Sequence, residues 1–404
     1  MSTSILYHGF GLCGYRYVRT RYDGGAVVFG IEHVSKELFC SKCGSREVWC
    51  RGVEKRVFRA VPMGGKPVFF QLDVQRVRCH VCNAVRQVRL GFADPRRTYT
   101  RGFERYAVGL LRHVTIKDVA AHLGVSWDTI KDIQKRRLRR RFSRPKLKHL
   151  RSIAIDEICI GRGYQYLTVV LDLQSGAVVY VGDGKGSEAL VSFWKRLRAS
   201  GARVKAVAID MSPAYIEAVR DNLPRAAIVF DHFHLVKLLN EKLSNLRREL
   251  HREAQEKRMK GVMKGTRWLL LKNPENLDPK RNEKERLEEA LRLNQPLATA
   301  YYMKEDLRRL WSQQSKRAAG KFLKDWIARA KVSGVGMLVK FAQTLCAHRR
   351  GILAYYNHPI STGPLEGTNT KIRVIQRQAY GLRDREFFKL RILALHESRL
   401  ALVG

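Results

Sequence analysis

The chain has 404 residues, 45% of them hydrophobic, and sets 77 Lys and Arg against 37 Asp and Glu for a formal net charge of +40. That much apolar material can bury a sizeable core in two to four domains, and no run reaches the roughly 18 to 20 uncharged apolar residues of a membrane span. So large a positive excess opposes a compact fold by self-repulsion unless a polyanion is the partner, which predicts nucleic acid and salt-sensitive affinity over a ribosomal-type protein or a merely basic enzyme. Residues 1–150 hold 31 basic and 11 acidic side chains, which leaves +20 of the +40 there. Met1 to Phe10 has no basic region followed by an apolar core and does not read as a signal peptide. A cytosolic protein is expected, with its eight cysteines reduced or metal-bound.

In chain order, residues 1–39 alternate aromatic and aliphatic side chains with Gly pairs and read as short strands. Cys40-Ser41-Lys42-Cys43 and Cys79-His80-Val81-Cys82 follow, separated by the strand-like runs Val57–Val61 and Val68–Val74. Two such pairs can present four thiolates tetrahedrally to a structural zinc ion in a zinc ribbon. Four incidental core cysteines or a dithiol redox pair are the blander alternatives, and Cys50 and His80 are spare ligands. Cys13, Cys159 and Cys346 read as small buried hydrophobes.

From Tyr99 the period becomes helical. Phe103–His113 is one amphipathic helix. Val119, Ala120 and Leu123 pack a second, Gly124 breaks it, and Ser126 caps a third that carries Ile130 and Ile133, a helix-turn-helix pattern. Ser126, Trp127, Thr129 and Lys131 stand at the exposed start of its recognition helix, with Asp128 among them. Lys135–Arg151 then holds ten Lys or Arg in seventeen residues without an acid, and beyond Pro145 it reads as an extended linker. A charge run is usually a solvated face. Here, directly after a helix-turn-helix, Lys135, Arg136, Arg137, Arg139, Arg140 and Arg141 are expected to track phosphates.

Residues 152–230 alternate strands and helices: strands at 152–158, 165–173 and 177–182, a helix at 187–199, a strand at 204–210, a helix at 213–221 and a strand at 226–230. Three meandering strands, a helix and a parallel strand give the order of an RNase-H-like α/β core, in which the first and fourth strands are neighbours. Asp156 and Asp210 each end an apolar run and would emerge side by side at the carboxyl edge, where α/β folds place ligands. Glu157 points to the opposite face by alternation. Residues 231–340 are too long for a loop and read as an all-α insertion broken near 272–279 and 294–296. Trp268, Trp311 and Trp326 belong to its core, with stacking on an unpaired base the alternative for one of them.

A third carboxylate, Glu366, falls in the first turn of a helix starting at Pro364, with Asn369 on its face and Lys371, Arg373 and Arg377 available for phosphates. Alone, such a Glu is an ordinary helix-dipole partner, and either Asp alone an ordinary turn residue. Together, three carboxylates suit a pair of magnesium (or manganese) ions per active site, for in-line attack on phosphorus by water or a 3′-hydroxyl.

Taken together, Ile153-Ala154-Ile155-Asp156-Glu157, Val207-Ala208-Ile209-Asp210-Met211-Ser212, Val229-Phe230-Asp231-His232-Phe233-His234 and Leu365-Glu366-Gly367-Thr368-Asn369-Thr370-Lys371-Ile372 resemble the ISL3-family DDE transposases of prokaryotic insertion sequences. The likeness covers nearly the whole chain. It implies Asp156, Asp210 and Glu366 as catalytic, magnesium-holding triad, and an RNase-H-like fold interrupted by a helical insertion. It also implies binding to double-stranded transposon ends and target DNA, with cleavage and strand transfer by a homodimer or larger assembly in a prokaryotic cytoplasm, associated with the nucleoid. Asp231 and His234 match a D-x-x-H signature and are expected near the active site, with Asn369. The expected domains are 1–94 (zinc ribbon), 95–150 (helix-turn-helix and basic linker), 151–240 and 341–404 (catalytic core) and 241–340 (insertion). Two other readings compete: a zinc-ribbon and helix-turn-helix regulator with an inert core, and a structure-selective nuclease of the junction-resolving type.

Overall fold

A computed structural model describes residues 4–34, 37–161, 165–253, 264–379 and 383–395. The chain divides into two compact units, Met1–Arg141 and Phe142–Gly404.

The first unit opens with helix α1 (Ile5–Phe10) and two hairpins. Strands β1 (Tyr15–Asp23) and β2 (Ala26–His33) turn through Gly24-Gly25, and β3 (Val48–Met63) and β4 (Lys66–Cys79) turn through Gly64-Gly65. All four glycines have φ between +53° and +78°, the backbone that a tight two-residue hairpin turn demands. The strand order is β1-β2-β4-β3, with β2 and β4 parallel and β5 (Val85–Gln87) pairing β4. Phe29, Phe58, Phe70 and Phe92 fill its core. The strands expected in residues 1–39 are thus two of nine and eight residues in one sheet with the hairpin between the cysteine pairs.

Helices α2 (Arg101–Leu110), α3 (Ile116–Leu123) and α4 (Trp127–Phe142) complete this unit around Phe103, Ala107, Val119, Leu123, Ile130 and Ile133. Thr115 and Asp118 form a reciprocal capping box on α3. Gly124 leaves α3 at φ +60°, and the Ser126 hydroxyl accepts the Thr129 N–H at 3.2 Å. The first half of the basic run is therefore helical. Its second half is anchored rather than free, because Leu147 and Leu150 are buried in the core of the second unit.

That unit is built on a five-stranded sheet of order β10-β9-β6-β7-β8: β6 (Ser152–Gly161), β7 (Gln165–Asp172), β8 (Val178–Asp183), β9 (Ala206–Ile209) and β10 (Ala227–Phe230). The first and fourth strands are neighbours, pairing in parallel from Ser152↔Ala206, and β10 runs parallel to β9. One face packs Ile153, Ile155, Val207 and Ile209 against α5 (Val191–Ala199) and α6 (Pro213–Asn222) through Phe193, Trp194, Tyr215 and Val219. The same core continues into α7 (His232–Glu253), α8 (Thr266–Leu271), α9 (Glu283–Arg292), α10 (Gln295–Arg308), α11 (Lys316–Val332) and α12 (Gly336–Leu353). The other face packs Ala154, Ile158, Val169 and Ala208 against α13 (Gly363–Gln378) and α14 (Arg385–Leu393).

Two expectations about side chains are corrected. Trp326 is fully buried, its indole N–H donating to the Met303 carbonyl at 2.9 Å, but Trp268 is 65% exposed and Trp311 is only partly buried. Leu269 and Leu270 take the buried side of the short helix α8 and turn Trp268 outward. Cys13, Cys159 and Cys346 are all exposed: the period of β6 and of α12 buries Ile158 and Leu345 in place of Cys159 and Cys346, and Cys13 lies between α1 and β1, beside the buried Leu12.

Candidate active site

Two strand ends, the middle of β6 and two helix starts converge at one edge of the second sheet; β6 runs on to Gly161, so Asp156 closes an apolar run without ending its strand. Asp156 lies within β6 on the side of Ala154 and Ile158, so its carboxylate faces α13. Its Oδ2 accepts the Asn369 Nδ2–H at 2.9 Å and its Oδ1 the Glu157 N–H at 2.8 Å. Burial nonetheless dominates and pushes its pKa up to about 6, with the N–H and His234 pulling it down and Asp210 and Glu157 pushing it up. Glu157 turns to the other face, as strand alternation requires, and accepts from the Tyr215 hydroxyl at 3.2 Å. Asp210 follows the last residue of β9 and accepts the Ser212 N–H at 3.0 Å.

Glu366 sits in the first turn of α13, which is pinned to the sheet from outside. Asp231, just beyond β10 and 2% exposed, accepts the Thr362 N–H at 3.3 Å. The Thr362 carbonyl in turn accepts the Glu366 N–H at 3.0 Å. Asp231 also pairs with His234 Nδ1 at 3.2 Å. Although burial raises Asp231, the His234 and Thr362 hydrogen bonds overcome it and hold its carboxyl low. The same hydrogen bond raises His234, against burial, and Asp156 and Asp210 add to it. Burial raises Glu366, while His234 and Lys237 act in the opposite direction.

Asp231, His234 and Glu366 offer ligand atoms that all lie within 4.8 Å of one another, and among the described residues they are the one such group besides the cysteines. The expected triad is looser. Asp156 and Asp210 feel each other and His234 electrostatically, but Asp156, Asp210 and Glu366 are not gathered as tightly. Asn369 adds a buried Oδ1 without a hydrogen-bond partner beside Asp156. Carboxylates with an orphaned amide oxygen are the hard donor set a divalent ion such as magnesium prefers, so the residues fit that group. Lys371 and Arg373 are exposed on α13, with Arg377.

In the first unit Cys40, Cys43, Cys79 and Cys82 form the other cluster, with Cys40–Cys82 sulfurs 3.6 Å apart and Cys43–Cys79 sulfurs 3.5 Å apart. Sulfurs bonded tetrahedrally to zinc at 2.3 Å stand about 3.8 Å apart, so the quartet fits zinc. The Cys43 and Lys42 N–H groups draw Cys40 down to about 6. Cys50 lies apart from the quartet, its thiol directed at Gln75 Oε1, and His80 packs edge-on against Trp49.

On the recognition helix, Trp127 is 46% exposed, with the Lys131 ammonium 5.3 Å from its ring centre. Ser126 is exposed and Thr129 half-buried at its start. Arg139 and Arg141 are exposed on the last turn of α4, and Lys135 and Arg137 are half-buried on it. Arg136 and Arg140 are engaged within the unit, each 2.5 Å from a different oxygen of the nearly buried Glu104. Sequence reasoning missed Glu104, Thr362 and Lys237. Lys237 alone carried a readable signal, one helical turn beyond His234.

A cysteine quartet, a helix-turn-helix and an acid-lined α/β sheet edge on one strongly basic chain define a protein that works on DNA. The chain matches the family described as "Transposase", of DDE type, over residues 153–392. It also matches the "Helix-turn-helix domain of transposase family ISL3" over 88–138 and the "zinc-finger of transposase IS204/IS1001/IS1096/IS1165" over 36–82. The transposase for insertion sequence element IS1001 of Bordetella parapertussis is 34% identical over 393 residues, covering 95% of this chain and 96% of that protein. The transposase for IS1557 of Mycobacterium tuberculosis is 29% identical over 414 residues, covering 95% and 91%. The chain belongs to the ISL3 family of transposases.

Proposed function

We propose that this chain binds the terminal inverted repeats of an insertion sequence and cuts and joins DNA there with Asp156, Asp210 and Glu366. The convergence of these acids with Asp231, His234 and Asn369, from strands and helices far apart in sequence, carries the reading. The core is RNase-H-like, supported by the strand order and the parallel β6–β9 pair, and α7–α12 are its all-α insertion. Divalent ions held by these acids would lower the pKa of the attacking water or 3′-hydroxyl and stabilise the leaving oxygen. The chain's own contribution is placement. Asn369 orients the Asp156 carboxylate, Asp231 fixes the turn that carries Glu366, and His234 stays charged to a higher pH than a free imidazole, beside the phosphate. The cysteine quartet holds a structural zinc ion, and the recognition helix carries the first unit to duplex DNA. The working form is a homodimer or larger assembly on the nucleoid, holding element ends and target together.

The reading is tested with a labelled duplex carrying the element's own end, in magnesium. Wild type is expected to cleave it, and Asp210→Asn to bind but lose cleavage by 10³-fold or more, on the order of removing an essential catalytic group. The tight Asp231, His234 and Glu366 group favours one variant of this reading, in which Asp231 completes the set. In that case Asp231→Asn is inactive and Asp210→Asn still cuts. Unimpaired cleavage by both variants overturns the active site.

A further inference from the structure

Helix α7 runs away from the acids with one flank left open by the described residues. Phe233, immediately before His234, is 50% exposed at its start. Lys237, Asn240, Asn245 and Arg248 follow along the same flank, and Arg267 of α8 faces them. With Val236 and Leu271 they bound an open groove of about 480 Å³. The fifteen-residue advance from Phe233 to Arg248, at 1.5 Å per residue, makes it roughly 22 Å long.

The near end of the groove adjoins the acids. Lys237 acts electrostatically on Glu366, and His234, next to Phe233, acts on Asp156. Three cations face one carboxylate along it, Glu241. Arg248 is steadied by donating to Asn245 Oδ1 at 2.7 Å, and the Arg267 guanidinium lies 4.9 Å from the centre of the exposed Trp268 ring. The Asn240 Oδ1 is buried without a hydrogen-bond partner. An exposed aromatic ring, amides and spaced cations are the chemistry of unpaired nucleic acid: a face for a base, groups for base edges and charge for phosphates. An acidic peptide would use the cations but leave the ring and the amides without a role.

We infer that this groove is the channel for the single DNA strand that runs on from the phosphodiester held at the acids. Phe233 stacks on the base beside that phosphodiester, and Lys237, Arg248 and Arg267 meet successive phosphates. The inference rests on the transposase reading of the acids and adds to it a path for the strand and a cause of local unpairing at the cut.

The test uses the full-length protein and a duplex carrying the element end and its flank. Phe233→Ala is expected to slow cleavage about tenfold or more, the value of one base–aromatic stack, and Phe233→Tyr to restore it. The double variant Arg248→Ala with Arg267→Ala is expected to lower the salt dependence of cleavage by roughly 1.4 in log–log slope, for two single-strand phosphate contacts. Gel-shift affinity for the inverted repeat and the melting temperature should stay at their wild-type values in all three, since a merely structural role would move the melt. Wild-type cleavage rates with an unchanged salt slope overturn the groove, as does loss of repeat binding in the variants. A wild-type protein that neither binds nor cuts element ends overturns the transposase reading beneath it and the groove with it.

Discussion

The carboxyl of Asp156 receives two hydrogen bonds and is still pushed up to about 6, because burial outweighs both. Its ordinary value is 3.8. Folding therefore tightens proton binding at this residue. The stability that follows is fully present below about pH 4 and is lost as pH rises through about 6, by up to roughly 3 kcal/mol. Asp156→Asn should thus melt higher than wild type at pH 7.5 in magnesium-free buffer, with the advantage gone at pH 4. Thermal melts at the two pH values check this, and a wild type at least as stable as the variant at pH 7.5 would count against it. At this scale the sequence was legible where chemistry is local. Asp156, Asp210, Asp231 and Glu366 were readable because each closes an apolar run or opens a helix. Thr362 and Glu104 were not, since a polar residue shows its use only when partners 131 and 32 positions away come into contact. Arg136 and Arg140 carry the same lesson: their charge was legible, and the acid that holds them was not.

At the scale of elements, the position of Glu366 depends on how α13 lies on the sheet. Leu365 and Ile372 are fully buried against Ala154, Ile158 and Ala208, directly under the acids. Leu365→Ala should cost about 2–5 kcal/mol, the usual range for a buried leucine, and should reduce cleavage at temperatures where the fold survives. Denaturant unfolding with cleavage assayed at 20 °C tests both parts, and a loss below about 1 kcal/mol would mean that the helix is seated by other contacts. The alternation of β6 and the period of α13 made this packing readable in outline. The parallel pairing of β2 with β4 was not readable, because nothing local to either hairpin states which edge meets the other. Nor was the anchoring of Leu147 and Leu150, which sit in a charge run whose composition reads as a solvated linker.

At the scale of the whole molecule, the zinc-finger and helix-turn-helix matches fall in the first compact unit and the transposase match in the second. The cysteine quartet ties the start of the long β3–β4 hairpin to its end, with Cys43 and Cys79 36 positions apart. Stripping zinc with a chelator should therefore lower the melting transition of the first unit and leave that of the second in place, and Cys40→Ser should do the same without a chelator. Calorimetry on the full chain separates the two transitions. A single unshifted melt would remove the quartet's structural role. The change of charge and period along the chain suggests more domains, at 1–94, 95–150, 151–240 with 341–404, and 241–340, whereas the contacts gather the chain into two units and the basic helix α4 closes the first of them.

The acids also differ in when they are made. Glu366 lies 225 residues beyond the end of the first unit, behind eight helices of the described chain. At about 5–20 residues per second, a ribosome needs roughly 11–45 s to cross that distance after the zinc ribbon and helix-turn-helix have been made. During that interval the nascent protein has its recognition parts and lacks the residue that completes its acid set. With the roles proposed above, translation order would act as a safety catch: a stalled or truncated product would carry the parts proposed to hold an element end without the acid proposed to cut it.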